Sequence, residues 1–125
     1  MGPLDTPEEA EGICLETLCF QELRAINDLL GLEYDMFYWR TSDGTEVDFV
    51  LYGSGGILAF EVKWSNRYDQ RGFTGLRAFR KDYSMAKCYF LYGGDQVRQE
   101  DGIHILPLQN ALINLPSIMD TGQFH

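Results

Sequence analysis

Residues 46–63, EVDFVLYGSGGILAFEVK, contain two apolar, strand-like segments joined by a glycine-rich turn at residues 53–56. Because alternate residues of a strand point to the same face of a sheet, Glu61 and Lys63 share one face. If the turn is centred in the middle of residues 53–56, Asp48 lies directly across from Glu61. This register predicts a hairpin with two opposed carboxylates and an ammonium group on one face.

The other face of this hairpin is predicted to be a dry core. The same register predicts two apolar pairs there, Phe49 with Phe60 and Val47 with Val62. A turn centred on Gly55 would instead place Asp48 opposite Lys63, as an ordinary cross-strand ion pair. The residues alone leave both registers open.

Two opposed carboxylates are destabilising unless another charge compensates for them. A divalent cation is the simplest compensation, since carboxylates of adjacent strands can hold Mg²⁺ and still leave sites for water. A bound Mg²⁺ lowers the pKa of water and polarises a phosphate. Lys63 could orient that water or stabilise charge at the phosphorus atom. The first register therefore predicts a site for metal-assisted phosphodiester hydrolysis.

Length and composition are typical of one globular domain. The chain has 125 residues, of which 45% are hydrophobic, and is long enough to bury a core. Its net charge of −9 argues against a generic nucleic-acid coat protein, which would be basic overall. Residues 62–87 form a basic tract that could contact phosphates or could simply balance the acidic half. The cations of the tract are Lys63, Arg67, Arg71, Arg77, Arg80, Lys81 and Lys87.

An amphipathic helix is predicted over residues 12–30, where apolar residues recur at three- and four-residue spacing. Glu22 falls near the centre of this apolar stripe, and Glu16 falls at its edge. An acid on the buried side of a helix is uncommon unless it is paired or binds a ligand. Interaction with the helix dipole would also explain Glu16, and a salt bridge to a nearby arginine would also explain Glu22.

An aromatic strand is predicted over residues 36–41, followed by a hairpin turn at residues 42–44. The turn places Arg40 beside Glu46, so we expect Glu46 to form a structural ion pair rather than to bind a metal. Two apolar pairs are also predicted, Phe37 with Phe49 and Trp39 with Val47. Together with the first hairpin, this strand completes a three-stranded antiparallel meander.

The second half of the chain alternates between helical and strand patterns. A short helix is predicted around residues 75–85, strands over 88–92 and 103–106, and a last helix from Pro107 to Pro116. The order of these elements predicts an α/β fold with one mixed sheet and helices on both sides.

We expect one domain over residues 12–115, between a flexible segment (residues 1–11) and a C-terminal tail (residues 116–125). No run approaches the roughly 18 apolar residues of a membrane span, and no signal peptide is recognisable. The three cysteines lack the spacing of a metal site and are predicted to be free thiols of a cytoplasmic protein. They are Cys14, Cys19 and Cys88.

Three segments of the chain resemble a known nuclease active site. EVDFVL (residues 46–51) and AFEVK (residues 59–63) resemble the active-site hairpin of the PD-(D/E)xK nuclease superfamily, which has a restriction-endonuclease-like fold. GICLE (residues 12–16) resembles the Gly-x-x-x-Glu start of the first helix in that superfamily's Holliday-junction resolvase branch. The predicted order of helix, meander, crossover helix and strand follows the core of the superfamily.

A narrower resemblance covers nearly the whole chain, from about Gly12 to Leu115. Its motifs are GxxxE followed by EL, YWRTxxGxEVDFVL, EVK, GLRAF and ILPL. They are similar to the C-terminal domain of unknown function in prokaryotic AAA-type ATP-binding proteins. No Gly-x-x-x-x-Gly-Lys-Ser/Thr phosphate loop occurs in the 125 residues. The resemblance therefore implies, as a partner, an AAA-type ATPase region outside this chain.

The superfamily resemblance implies a role for five residues. Asp48 and Glu61 would be ligands of Mg²⁺ or Mn²⁺, and the backbone carbonyl of Val62 would be a third. Lys63 would be the catalytic lysine, and Glu16 would be the carboxylate that reaches the metal from the first helix.

Two further positions bear on this resemblance. Glu22 matches the family's Glu-Leu and is a second, weaker candidate for the helix carboxylate. The superfamily's proline before the aspartate is Val47 here, a change that removes no ligand.

Two functional classes follow from the sequence. The resemblance implies a metal-dependent nuclease that hydrolyses phosphodiester bonds in nucleic acid, DNA more than RNA. The alternative is a catalytically inactive, nuclease-like module that docks on an ATPase, which the net charge of −9 would favour. A nuclease fold alone does not decide between them.

Overall fold

The computed structural model describes residues 7–63 and 70–121, with side chains over residues 15–63 and 73–120. Three helices and six strands follow one another along these residues. They are α1 (Pro7–Leu30), β1 (Asp35–Arg40), β2 (Glu46–Gly53), β3 (Gly56–Val62), α2 (Gln70–Asp82), β4 (Lys87–Tyr92), β5 (Arg98–Glu100), β6 (Ile103–Pro107) and α3 (Leu108–Thr121). All six strands join one mixed sheet in the order β1-β2-β3-β4-β6-β5. The protein therefore has an α/β fold, as predicted.

The sheet combines an antiparallel meander with parallel strands. β1, β2 and β3 pair in antiparallel orientation, whereas β3, β4 and β6 run parallel. α2 makes the crossover between β3 and β4, because parallel neighbours cannot be joined by a tight turn.

Each face of the sheet packs against helices around its own hydrophobic core. In the first core, α1 and α3 cover one face and bury Leu23, Phe60 and Leu115. In the second core, α2 covers the other face and buries Ala59 and Phe73. The prediction of helices on both sides is confirmed. Because Ala59 lies on the face predicted to carry the carboxylates, that face is apolar along most of the hairpin and polar only at its end.

β2 contains a β-bulge that the predicted register did not include. Phe37 pairs with Val50 and Trp39 pairs with Val47, so three steps along β2 match two steps along β1. The predicted Phe37–Phe49 pair is therefore wrong, whereas the Trp39–Val47 pair is confirmed. The extra residue reverses which side chains of β2 face each side of the sheet. Val47 therefore points into the second core, where Trp39 also packs.

The ladder between β2 and β3 runs as far as the Phe49–Phe60 pair, which was predicted correctly. The predicted Val47–Val62 pair is wrong, because Val62 lies in the first core and Val47 in the second. On the other edge of β3, Val62 pairs with Leu91 of β4. Beyond this point β2 and β3 diverge, and the predicted site residues lie at the divergence.

Two helices extend beyond their predicted ends. α1 begins at Pro7, within the segment predicted to be flexible. α3 continues through Pro116 to Thr121. The prediction that Pro116 ends this helix is wrong, because Ile118 and Met119 are buried in the first core. Their burial offsets the backbone hydrogen bond that the proline removes.

A short hairpin between β5 and β6 was not predicted. Asp101 and Gly102 form its turn, and their φ angles of 52° and 77° are typical of a two-residue hairpin. Arg77 Nε donates to Asp101 Oδ2 at 2.8 Å, and Arg80 Nη1 donates to the Asp101 carbonyl oxygen. Two cations of the basic tract therefore stabilise this hairpin, in agreement with a balancing role for that part of the tract.

We expect Gly75→Ala to lower the free energy of unfolding by about 2 kcal/mol. A Cβ atom added at Gly75 of α2 would lie 2.2 Å from the carbonyl oxygen of Glu46 in β2. Alanine favours a helix by only about 1 kcal/mol over glycine, which is less than the cost of this clash. Urea unfolding measures the difference, and Lys81→Ala, at an exposed position of the same helix, is the neutral control. A Gly75→Ala protein as stable as the parent would contradict this close packing.

Candidate metal centre

Asp48 and Glu61 lie opposite each other where β2 and β3 diverge. The turn pairs Gly53 with Gly56, so the hairpin has the register that opposes the two carboxylates and not the ion-pair register. The backbone N–H of Asp48 donates to Glu61 Oε1 at 3.2 Å, and the N–H of Val62 donates to Asp48 Oδ2 at 2.9 Å. At this point, where the hydrogen-bond ladder between β2 and β3 ends, each carboxylate accepts a backbone N–H hydrogen bond that a carbonyl would accept in a regular ladder. Each is therefore fixed by a hydrogen bond from the opposite strand.

Glu61 is buried, and Lys63 is the cation beside it. Glu61 is 3% exposed and is the only charged residue in the buried class among the side chains that the structure describes. Lys63 Nζ lies 3.2 Å from Glu61 Oε2, and the lysine side chain is 35% exposed. Because an unpaired buried charge is costly, this ion pair is the compensation that the chain itself supplies.

One ammonium group does not offset all the negative charge at the site. Burial and, to a smaller extent, the Asp48 carboxylate raise the pKa of Glu61 to about 8, against the opposing effect of Lys63. Burial also raises the pKa of Asp48, although the hydrogen bond from the Val62 N–H and the charge of Lys63 lower it. The two carboxylates therefore favour an additional positive charge, either a proton or a metal ion.

Glu16 of α1 is electrostatically coupled to the same cluster. Burial raises the pKa of Glu16, the Asp48 carboxylate raises it further, and Lys63 lowers it. Glu16 itself is exposed on α1. The structure therefore brings together Asp48, Glu61 and Lys63, and Glu16 acts on this cluster through its charge.

Glu16 and Glu22 lie on opposite flanks of the apolar stripe of α1. That stripe consists of Leu15, Cys19 and Leu23, which are buried in the first core. Glu16 is next to Leu15 and Glu22 is next to Leu23. With 3.6 residues per turn, the two glutamates therefore point to opposite sides of the stripe. Glu22 is exposed, and the prediction that it lies near the centre of the stripe is wrong.

The donor set fits a hard divalent cation. Within the described part of the chain, no group of three or more His, Cys, Asp or Glu side chains is arranged to hold a metal ion. Mg²⁺ is usually bound by only one or two carboxylates, with water and substrate phosphate as its remaining ligands. Asp48 and Glu61 are two such carboxylates, whereas Glu16 is an exposed residue of α1.

Two clefts reach the carboxylate pair from different sides. The lysine cleft has a volume of about 380 Å³ and is lined by Glu61, Lys63 and Thr74 among others. The aromatic cleft has a volume of about 310 Å³, lies on the α1 side and is lined in part by Asp48. A third cleft, of about 400 Å³, lies at the ends of β4 and β6 and contains none of the predicted site residues.

Glu46 lines the lysine cleft but is engaged in a structural ion pair. Arg40 Nη2 lies 3.0 Å from Glu46 Oε2, which confirms the predicted pairing. Of the basic tract, Arg67 and the side chain of Arg71 fall outside the described residues.

Two of the three cysteines are buried free thiols, as predicted. They are Cys19 and Cys88. Burial raises the pKa of the first to about 11 and of the second to about 12. The side chain of Cys14 falls outside the described residues. Thiols with such high pKa values are poor nucleophiles at neutral pH.

Two residues that line the clefts beside the predicted site residues were not singled out as site residues from the sequence. Tyr38 lines the aromatic cleft and is 68% exposed. The available signal was its alternation with Trp39, which packs in the second core. For Thr74 of α2, which lines the lysine cleft, no sequence signal was available, because the crossover helix reaches the site only through the tertiary fold.

A family model described as Domain of unknown function (DUF4143) matches residues 11–111. The match spans most of the chain and includes every predicted site residue from Glu16 to Lys63. No curated protein matches the chain. None of the helices that the structure describes is both long enough and apolar enough to cross a membrane.

Proposed function

The chain belongs to the family described as Domain of unknown function (DUF4143), and we propose that it is a divalent-metal-dependent nuclease. The arrangement of Asp48, Glu61 and Lys63 at the end of the β2–β3 hairpin carries the proposal. Both carboxylates are fixed by N–H groups of the opposite strand, and Lys63 Nζ lies 3.2 Å from Glu61. Two carboxylates that can hold a metal, with an ammonium group beside one of them, are the groups that phosphodiester hydrolysis needs.

Each residue has a separate role in this proposal. Asp48 and Glu61 would hold Mg²⁺ or Mn²⁺, with the Val62 carbonyl and Glu16 as further oxygen donors. The metal would supply an acidified water and a polarised phosphate. Lys63 would donate a hydrogen bond to a phosphate oxygen and stabilise the negative charge that develops there.

The topology supports a restriction-endonuclease-like core for this domain. α1 precedes the antiparallel strands β1 to β3, α2 crosses over, and β4 joins β3 in parallel. This is the order that the resemblance to the PD-(D/E)xK superfamily implies. On the same ground we propose DNA, more than RNA, as the substrate, and an AAA-type ATPase region as the partner.

A catalytically inactive docking module is the second candidate. No group of three metal-binding side chains is assembled in residues 15–63 and 73–120. In addition, α1 exposes Leu18, Leu29 and Leu30, and Leu29 is 82% exposed. Exposed apolar side chains along one helix would suit an interface with an ATPase.

We expect the protein to cut nucleic acid in Mg²⁺ or Mn²⁺, and at least about 10²-fold more slowly in EDTA. Labelled single-stranded, duplex and branched DNA, and matching RNA, are compared on denaturing gels. Titration calorimetry with Mn²⁺ on the same preparation measures metal binding. No cleavage of any substrate would contradict the nuclease proposal, and the additional absence of a heat of Mn²⁺ binding would favour the docking module.

A further inference from the structure

The aromatic cleft is a second concave surface beside the candidate metal centre. It lies between α1 and the β1–β2 pair and has a volume of about 310 Å³. Its lining residues are Phe20, Met36, Phe37, Tyr38, Asp48 and Phe49. Phe20, Phe37 and Tyr38 are 37%, 48% and 68% exposed, respectively. Clustered exposed aromatic rings of this kind mark binding surfaces more often than isolated ones do.

The bulge in β2 assembles this cleft. Because Phe37 pairs with Val50 and Trp39 with Val47, the residues opposite Tyr38 are both Asp48 and Phe49. The bulge therefore places a carboxylate of the metal centre next to an aromatic ring in the same wall. The Phe49 ring packs against Phe20 of α1, with 6.1 Å between ring centroids. The cleft and the metal centre are thus parts of one local structure.

The lining of the cleft favours an uncharged, planar group. Among the described residues that line it, Asp48 is the only charged one, and its carboxylate would repel a phosphate. The ammonium group of Lys63 lies in the other cleft, beyond the carboxylate pair. A nucleotide that spans the site would therefore direct its phosphate toward Lys63 and its base toward Tyr38.

We propose that the aromatic cleft binds one unstacked nucleobase of the strand whose phosphate lies at Lys63. This inference rests on the proposed nuclease function and narrows its substrate to single-stranded or locally unpaired nucleic acid. A base inside a duplex has both faces stacked and cannot enter. A volume of about 310 Å³ is near the lower limit of ligand pockets, which suits one ring system rather than a stacked pair.

Tyr38→Ala is expected to raise KM for a single-stranded oligonucleotide about 5- to 100-fold, the range for one stacked base. The kcat should change little, because the carboxylates and Lys63 remain. A set of oligonucleotides, each with one abasic residue at a different position, identifies the base that enters the cleft. For the parent protein, KM should rise when the abasic residue is at that position. With this abasic substrate, Tyr38→Ala should not raise KM further.

Two variants serve as controls for this experiment. Tyr38→Phe keeps the ring and should have the KM of the parent. Tyr52→Ala removes an exposed tyrosine of the neighbouring strand, β2, that lies outside the cleft, and it should also leave KM unchanged.

Failure of this inference is distinguishable from failure of the proposed function. A parent protein that cleaves with metal, and a Tyr38→Ala protein with the same KM, would overturn the base-binding cleft alone. Faster cleavage of a fully paired duplex than of a single strand would overturn it as well. A parent protein with no metal-dependent cleavage would overturn the nuclease proposal itself.

Discussion

Lys63→Ala is expected to lower kcat for metal-dependent cleavage by about 10²- to 10³-fold, the usual cost of removing one group that stabilises transition-state charge. Lys63 Nζ lies 3.2 Å from Glu61 Oε2 and lines the lysine cleft, where a phosphate on the metal would lie. Metal binding should persist, because Asp48 and Glu61 keep their oxygen atoms and their hydrogen bonds from the backbone. Single-turnover cleavage measures the chemical step, and calorimetry with Mn²⁺ measures the metal affinity.

Glu46→Gln is the matched control for this variant. Glu46 lines the same cleft as Lys63 but pairs with Arg40 at the surface. Losing that exposed pair should change the rate by no more than about 2- to 3-fold. An unchanged kcat in Lys63→Ala would contradict its catalytic role. An equal loss in Glu46→Gln would mean that the rate responds to any change among the charged groups of the cleft, and it would contradict a specific role of Lys63.

The opposed carboxylates could be predicted because two local rules fix the β2–β3 hairpin. The turn between Gly53 and Gly56 sets the register, and the period of two along a strand sets the faces. Neither rule needs a contact from elsewhere in the chain. A turn centred within residues 53–56 gives the observed opposition of Asp48 and Glu61, although the residues alone also allowed a turn centred on Gly55. The ion pair of Glu61 with Lys63 was not predicted.

The bulge in β2 could not be predicted, since residues 47–50 contain no glycine or proline that would mark an irregularity. The bulge depends on packing from both sides of the sheet. Val47 is drawn into the second core, while Phe49 contacts Phe20 on the α1 side. Without the positions of both helices, a uniform register is the simpler expectation, and it misplaces the residues that form the aromatic cleft.

The end of α3 likewise depends on a distant part of the chain. Pro116 is a local helix breaker, but Met119 lies in the first core and its carbonyl oxygen accepts a hydrogen bond of 2.7 Å from the Tyr34 hydroxyl. Tyr34 precedes β1, so this contact exists only in the folded domain. Propensity at one residue is therefore outweighed by burial of the next turn.

Glu61→Gln is expected to stabilise the metal-free protein above pH 8. Burial and the Asp48 carboxylate raise the pKa of Glu61 from 4.5 to about 8. Between these values the folded protein holds a proton that the unfolded chain has released, so the stability of the metal-free protein falls as pH rises through this range. Glutamine has no such proton. Above pH 8 in EDTA, we expect its free energy of unfolding to be higher by on the order of 2 kcal/mol, and near pH 4.5 to equal that of the parent.

Saturating Mn²⁺ should reverse this order of stability. A ligand that binds only the folded protein stabilises it by about 2.7 kcal/mol at 100 times its Kd, and the parent keeps both carboxylates as ligands. Glu61→Gln loses one anionic ligand, so Mn²⁺ should raise its free energy of unfolding only slightly. Glu46→Gln should match the parent both in EDTA and in Mn²⁺. Urea unfolding with EDTA and with Mn²⁺ measures all of these differences.

A Glu61→Gln protein that is less stable than the parent in EDTA above pH 8 would contradict this prediction. It would mean that the Glu61–Lys63 pair is a net stabilising salt bridge, strong enough to overcome the burial of its charges. The reversal by Mn²⁺ separates the two cases, because a structural salt bridge gives Mn²⁺ no reason to favour the parent. Unfolding therefore distinguishes a metal centre from a buried ion pair without requiring that the protein cut any substrate.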